Sequence, residues 1–474
     1  MPITAVQLPQ RSNPGRYGPD GATRLINCYA EDAGSEGVAR FPIYANDGWL
    51  QRVDFGLGQG PIRQAIEVNG IVYVVAGRSV FSVNASYAVS LIGTVGGVST
   101  AGMVTMARNR AAVPQIGIVV DHLYYIVQGG VLTQVTNANL RADVGSIAAL
   151  DGFFVLFCDD GRFQLTGVDD GFAIAAIDYA TASANPDGGS VVAVRNRDLV
   201  LFGPKSVEFF QNTGGTFPFS RGATVDGLGV LAPRSVATLE QTLCFVASDG
   251  TVRLLNGYSP MRISSHAVER SINAEADPTL ITALSWRDSG HSMYQISGAN
   301  FTWVYDITLP GSWTEAKSYG INRSRLSVAL EANGLHLFGD YLNGALYERR
   351  KGFFDEAGSP IVWEIWLSTV HDFPNFLRHD ALYIKVLTGR GIVNAGQPNE
   401  EPMLMVDYSD DGGATFSAQR MLSLGVDGDR DLEVKTYRLG MAPAGGRVYR
   451  LSGSAAAASS ILEVWPSLTK LARR

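Results

Sequence analysis

The stretch "TLCFVASDGTVRLL", residues 242–255, decides the fold. Its first five residues are apolar or β-branched, and so are most of its last five. Between them lies Asp249–Gly250. Asp and Gly both tolerate positive φ, so the pair suits a tight turn between two antiparallel strands. The same order of strand, turn and strand recurs along the chain. It appears in "IVYVVAGRSVFSV" with a turn near Gly77, in "HLYYIVQGGVLTQV" at Gly129–Gly130, and in "FFVLFCDDGRFQL" at Asp160–Gly161. It returns in "DLVLFGPKSVEFF" near Gly203, "SMYQISGANFTWVY" near Gly298 and "LHLFGDYLNGALYE" at Asn343–Gly344. Successive turns are 52, 32, 42, 47, 48 and 46 residues apart. That spacing is close to the ~40–50 residues of a propeller blade.

An isolated hairpin leaves an apolar face in water. Packing sheets radially buries those faces, so the sequence predicts an all-β chain built on a β-propeller of about seven blades. A pair of β-sandwiches is the competing architecture. The propeller is expected over residues 61–352. It carries a short helical insertion near 264–280, where "SSHAVERSINAEADPTL" opens on cap-forming serines and spaces Val268 and Ile272 one helical turn apart. Residues 1–60, rich in Gly and Pro around "RSNPGRYGPDGATR", read as an extended N-terminal arm leading to a first strand, "LINCYAED". Residues 353–474 lose the regular beat. Runs such as "IVWEIWLSTV", "ALYIKVLTG" and "LEVKTYRLG" predict a separate C-terminal β-sandwich-like domain.

The chain has 474 residues, 46% of them hydrophobic and only 18% charged, against roughly 25% charged in average soluble proteins. Its mean hydropathy is +0.06, yet no apolar run approaches the ~20 residues of a membrane helix, and no membrane insertion is expected. So little charge points to a surface that meets other protein chains, with a large, efficient core as the alternative reading. The net charge of −7 lacks the basic footprint of a protein that grips DNA phosphates. Three cysteines, Cys28, Cys158 and Cys244, lie far apart with no CxxC, which argues against a disulfide framework or zinc site and fits a reducing compartment. The N-terminus shows no secretory signal pattern.

One local motif points toward chemistry. "YSDDGGATFS" fits the spacing Ser-x-Asp-x-Gly-x-Thr-aromatic at Ser409, Asp411, Gly413, Thr415 and Phe416. This is the Asp-box, a turn known from sialidases and other sugar-cleaving propellers. In such a turn the carboxylate accepts hydrogen bonds from backbone N–H groups, the hydroxyls tie the strands and the ring packs beneath. Those roles are structural. A glycosidase also needs paired acids or a nucleophile with its partner, and no local motif assembles them. The six histidines match no ligand spacing, including the two His-Asp pairs in "HDFPNFLRHD" (371–380). The paired acids Asp159–Asp160, Asp169–Asp170 and Asp410–Asp411 read as solvated turn residues, and "GLGQG" (56–60) as a bend. No catalytic residue, metal ligand or cofactor site is expected.

Several stretches in order resemble one family. "RLINCYAE" (24–31), "GPIRQAIEVNGIVYVVAGRSVFSV" (60–83), "SVEFFQNTGGTFPFSRG" (206–222), "SPMRISSHAVERSI" (259–272) and "GHSMYQISGANFTWVYDITLPGSW" (290–313) are similar to the packaged-DNA stabilisation proteins of short-tailed phages, the tail hub or nozzle subunits. The resemblance implies a non-enzymatic virion protein of the tail, assembled in the host cytoplasm as a homohexamer beneath the ring of tail adaptor subunits. It implies a collar that extends the DNA channel without sequence-specific binding, retains the packaged genome and carries tailspikes or fibres and a central plug or needle. A host sugar- or receptor-binding propeller, or less readily a glycosidase, is the alternative.

Overall fold

The computed structural model describes residues 5–471 except 36, 57, 98–99, 176–178, 182–186, 216 and 392–398. Seven antiparallel four-stranded blades surround a central tunnel. They comprise residues 62–94, 104–134, 144–181, 191–226, 237–262, 282–315, and 326–349 completed by Trp49–Asp54. They are numbered blades 1 to 7 in that order.

Each hairpin read from the sequence lies inside a blade. Six of them are strands two and three. The exception is the turn at Gly129–Gly130, which joins strands three and four of blade 2. The equivalent turn of blade 2 is Asp121–His122, joining Gln115–Val120 to Leu123–Gln128. Both of its residues have positive φ, 46° and 63°. Placing the beat at His122 changes the first two steps from 52 and 32 to 45 and 39 residues. The conspicuous Gly-Gly pair concealed a turn made without glycine. In the opening stretch Gly250 has φ 75°, and the Asp249 carboxylate accepts from Thr251 N–H at 3.1 Å and from its hydroxyl at 2.6 Å.

The apolar runs are continuous because each blade is buried on both faces. Side chains alternate across a strand. In Phe153–Cys158, Phe154, Leu156 and Cys158 pack toward blade 2, whereas Val155 and Phe157 pack toward blade 4. Leu199 and Leu201 face blade 3, and Val200 and Phe202 face blade 5. This two-sided burial turns the usual alternation of a half-exposed strand into an unbroken hydrophobic run.

The segment read as an arm supplies strands to both halves of the molecule. Trp49–Asp54 pairs with Ala345–Arg349 and becomes the outer strand of blade 7. Val53 then joins Leu337 and Leu346 of blade 7 and Val72 and Phe81 of blade 1 in one core. Ala22–Ile26 pairs antiparallel with Trp363–Trp366 and parallel with Ser312–Glu315 of blade 6. Cys28–Ala30 pairs with Ile43–Ala45, which pairs with Ser460–Leu471. The C-terminal residues therefore form a two-sheet sandwich that is incomplete without residues 22–45. Its core joins Leu25, Ile365, Val406 and Leu451 of one sheet to Ile43, Leu382, Val434 and Val464 of the other. These short strands have distant partners, so local pattern showed their extended character and not their place.

The crossing between the two sandwich sheets is Asn27, at φ 53° and buried. Its side-chain amide donates to the carbonyls of Lys317 and Val362 at 2.8 Å each, and its Oδ1 accepts from Lys317 N–H at 2.9 Å. Asn tolerates this backbone region better than other non-glycine residues. The helix occupies His266–Asn273 between blades 5 and 6, with Ser265 as N-cap. Val268 and Ile272 are buried with Tyr294 and Trp303, so its apolar face is used within the chain.

Two tests follow from this packing. Val53→Asp places a carboxylate in the blade 7–blade 1 core and should cost about 3–5 kcal/mol, as other uncompensated buried charges do. Gln51→Glu, on the exposed side of the same strand, should stay within about 0.5 kcal/mol. Urea unfolding followed by tryptophan fluorescence separates them, and equal effects would exclude the ring-closing role of this strand.

The second test concerns His379, buried in the sandwich at 1% exposure, with Nδ1 2.6 Å from the Tyr449 hydroxyl. Burial, and then the Arg447 charge, lower its pKa from 6.5 to about 4. The unfolded chain takes up this proton near pH 6.5 and the folded chain resists until about pH 4. The contribution to stability is whole above pH 6.5 and falls by about 3 kcal/mol as pH drops to about 4. His379→Gln should remove that component of the acid slope, measured as the difference between the two unfolding curves across this window.

Candidate functional site

Three features invite a functional reading: the central tunnel, the Asp-box turn and a cluster of acids beside Cys158. The tunnel is walled by the first strand of every blade, and its cavity measures about 600 Å³. These strands all run in the same direction, so the residues that begin them gather at one mouth. At that mouth residues 101–103 cross the opening. Met103 packs against the blade 4 and blade 5 core that contains Phe202 and Leu243.

The Asp-box residues lie together between the strands Met403–Ser409 and Arg420–Ser423 of the sandwich. The Asp411 carboxylate accepts from the Ser409 hydroxyl at 2.6 Å, from Thr415 N–H at 2.9 Å and from the Thr415 hydroxyl at 2.5 Å. The Ser409 oxygen in turn accepts from Gly413 N–H at 2.7 Å. These donors, the Ser409 hydroxyl foremost, hold the Asp411 carboxyl well below the usual carboxylate range. Gly413 has φ 96°, and a Cβ there would lie 2.7 Å from the Trp366 ring. Phe416 meets Trp366 edge-on at 4.8 Å and carries the Arg450 guanidinium 4.0 Å above its ring. Every functional-looking atom of the motif is therefore engaged in holding the turn. Beside it, Arg447 is buried and binds the Asp410 carboxylate at 2.7 and 2.8 Å, and Arg450 does the same with Asp407 at 2.9 and 2.6 Å. Sequence reasoning missed these arginine partners because they stand 37 and 43 residues further along the chain.

Asp143, Cys158 and Asp160 bring one ligand atom each within 4.8 Å of one another. Arg141 already occupies the space between the carboxylates, bonding Asp143 at 3.0 and 3.1 Å and Asp160 at 2.5 Å. Burial, followed by the Asp143 charge, pushes the Cys158 thiol up to about 12, so it remains protonated at neutral pH. A neutralised acid pair and a protonated thiol are a poor donor set for a cation. The two His-Asp pairs of residues 371–380 do not converge: His379 faces Tyr449 in the core, while Asp372 pairs with Lys470 at 3.1 Å. Asp170 accepts from Phe172 N–H within its own turn, whereas Asp169 accepts from Arg110 N–H, 59 residues earlier, and ties its turn to a loop of blade 2. The three cysteines are buried and unbonded to one another.

No helix among the described residues is long and apolar enough to cross a membrane. Solved structures align with the chain at low identity and with TM-scores under 0.5. Virginiamycin B lyase from Staphylococcus aureus aligns with a TM-score of 0.44 at 9% identity, covering 62% of this chain and 97% of that one. The WD40 β-propeller domain of Doa1 aligns at 0.43 and 11%, covering 64% and 98%. BamB from Moraxella catarrhalis aligns at 0.42 and 10%, covering 74% and 98%. No curated protein sequence matches the chain. The phage stabilisation family, described as "Bacteriophage P22 Gp10, beta-propeller", matches residues 50–350. That span begins within the strand that closes blade 7 and ends just after the strand it pairs with. The chain thus belongs to the bacteriophage P22 Gp10 family of β-propeller stabilisation proteins, and is a phage structural protein.

Proposed function

We propose that this chain is the tail hub, or nozzle, subunit of a short-tailed phage and acts without enzymatic chemistry. Six copies form a collar beneath the tail adaptor ring, prolong the DNA channel, retain the packaged genome and anchor tailspikes or fibres around a central plug or needle. The observation that carries the reading is the family match over the whole propeller.

The architecture supports it. Propeller and sandwich share one ten-stranded sheet, which suits a chain that bears load through both parts. A cavity of about 600 Å³ crossed at one mouth by residues 101–103 has no room for a duplex. DNA therefore passes through the centre of the ring of subunits and not through the propeller. The net charge of −7 favours a conduit past which phosphates slide without sticking.

Antibody labelling of virions, viewed by electron microscopy, tests this directly. Label confined to the single tail vertex is the expected result. Label at fibre tips would move the protein to receptor binding, and unlabelled particles would overturn the hub assignment.

The sugar-cleaving alternative is tested at Asp411. Wild type and Asp411→Ala should both leave host polysaccharide intact, and hydrolysis by the wild type that the variant loses would favour a glycosidase. The substitution should instead lower thermal stability. Because the folded carboxyl titrates below its ordinary value, the difference between the two proteins is whole above about pH 4 and shrinks as the solution is acidified further.

A further inference from the structure

The tunnel has a charge character opposite to that of the chain. Among the described residues its wall contains Arg63, Arg108 and Arg234 and no Asp or Glu. Arg63 begins the inner strand of blade 1, and Arg234 lies just before that of blade 5. Both reach the same crossing segment: Arg234 donates to the Ala101 carbonyl at 3.1 Å, and Arg63 to the Gly102 carbonyl at 3.0 Å. Two guanidiniums from separated blades are thus pinned on consecutive carbonyls at the crossed mouth. Arg323 stands just before the inner strand of blade 7, largely buried and stacked 3.9 Å above the Tyr341 ring. Among the described residues no carboxylate lies within ion-pairing distance of Arg234 or Arg323. Arg108 closes the first strand of blade 2 and is exposed at the opposite, open mouth.

The direction of the shift distinguishes the buried arginines of the crossed mouth from six arginines held in ion pairs. Arg24, Arg52, Arg141, Arg325, Arg447 and Arg450 all have raised pKa values, each with acidic partners among the causes. Arg63, Arg234 and Arg323 are lowered. Burial is the first cause for all three; Asp121 opposes it at Arg63, and Glu275 and Asp340 oppose it at Arg323, whereas at Arg234 the charges of Arg63 and Arg323 add to it. Loop anchoring alone does not call for cations here, since neutral donors satisfy carbonyls without like-charge crowding.

We propose that the propeller tunnel is a binding site for a small polyvalent oxyanion, of phosphate or carboxylate type, which enters at Arg108 and is held at the crossed end by Arg63 and Arg234. A cavity of about 600 Å³ falls within the ~300–1,000 Å³ of small-ligand sites. Guanidinium is the side chain best shaped for such oxygens. The proposal is independent of the hub assignment.

Calorimetric titration of the full chain with pyrophosphate and with citrate, at constant ionic strength, tests it. One equivalent of at least one probe should bind the wild type, and its melting temperature should rise with that probe but not with matched sodium chloride. Arg234→Gln should weaken binding about ten-fold or more, as expected for a lost charged hydrogen bond. Should that variant fail to fold, Ala193→Glu adds a carboxylate to the tunnel wall without touching the anchoring arginines, and should abolish binding. Absence of binding of either probe at millimolar concentration, or unchanged binding by a folded variant, would overturn the site.

Discussion

The structure rests on the pairing of Trp49–Asp54 with Ala345–Arg349. A ring of two-faced sheets has no stable open form, because the end blades would each leave an apolar face in water. The strand that closes it comes from the beginning of the chain and sits in the last blade. It brings Val53 and Phe55 into the core between blades 7 and 1 and Trp49 into the core between blades 6 and 7. Bringing segments about three hundred residues apart together has an entropic cost that grows only slowly with length. The burial of two faces exceeds it, and the closed ring leaves only short edges.

The same early segment makes the molecule one rigid piece. Ala22–Ile26 lies between blade 6 and the sandwich, so a single sheet runs through both. Arg24 stands at this seam. It pairs with Glu315 of blade 6, with Nε 2.9 Å from Oε1, and its guanidinium lies 5.2 Å from the centre of the Trp366 ring of the sandwich. Asn27 then turns the chain into the second sheet while bonding backbone on both sides of the seam. Independent motion of propeller and sandwich would break this ladder.

Most polar groups that suggest chemistry are spent on geometry. Asp411 holds a turn, Arg447 and Arg450 tie acids to the sandwich, and Arg141 neutralises the acids beside Cys158. Arg234 at the tunnel mouth differs, because it donates to a carbonyl and the charges acting on it are those of other arginines. This contrast is visible only when charge is compared with its surroundings, since arginine is common in both settings.

Strand character, turn chemistry and blade number were legible in the sequence because they depend on neighbours along the chain. Runs such as Phe153–Cys158 state their burial on both faces, and Asp249–Gly250 states its turn. The Asp-box was legible for the same reason, since Ser409, Asp411, Gly413, Thr415 and Phe416 lie within eight positions. The turn at Asp121–His122 was not, because its backbone takes positive φ without the glycine that advertises it. Tertiary structure alone decided where residues 22–54 belong, how Arg447 finds Asp410 and which arginines meet at the tunnel mouth. Each depends on pairing between segments far apart in sequence. Such pairing is selected by the shape and charge of the closed ring, which no local window of sequence contains.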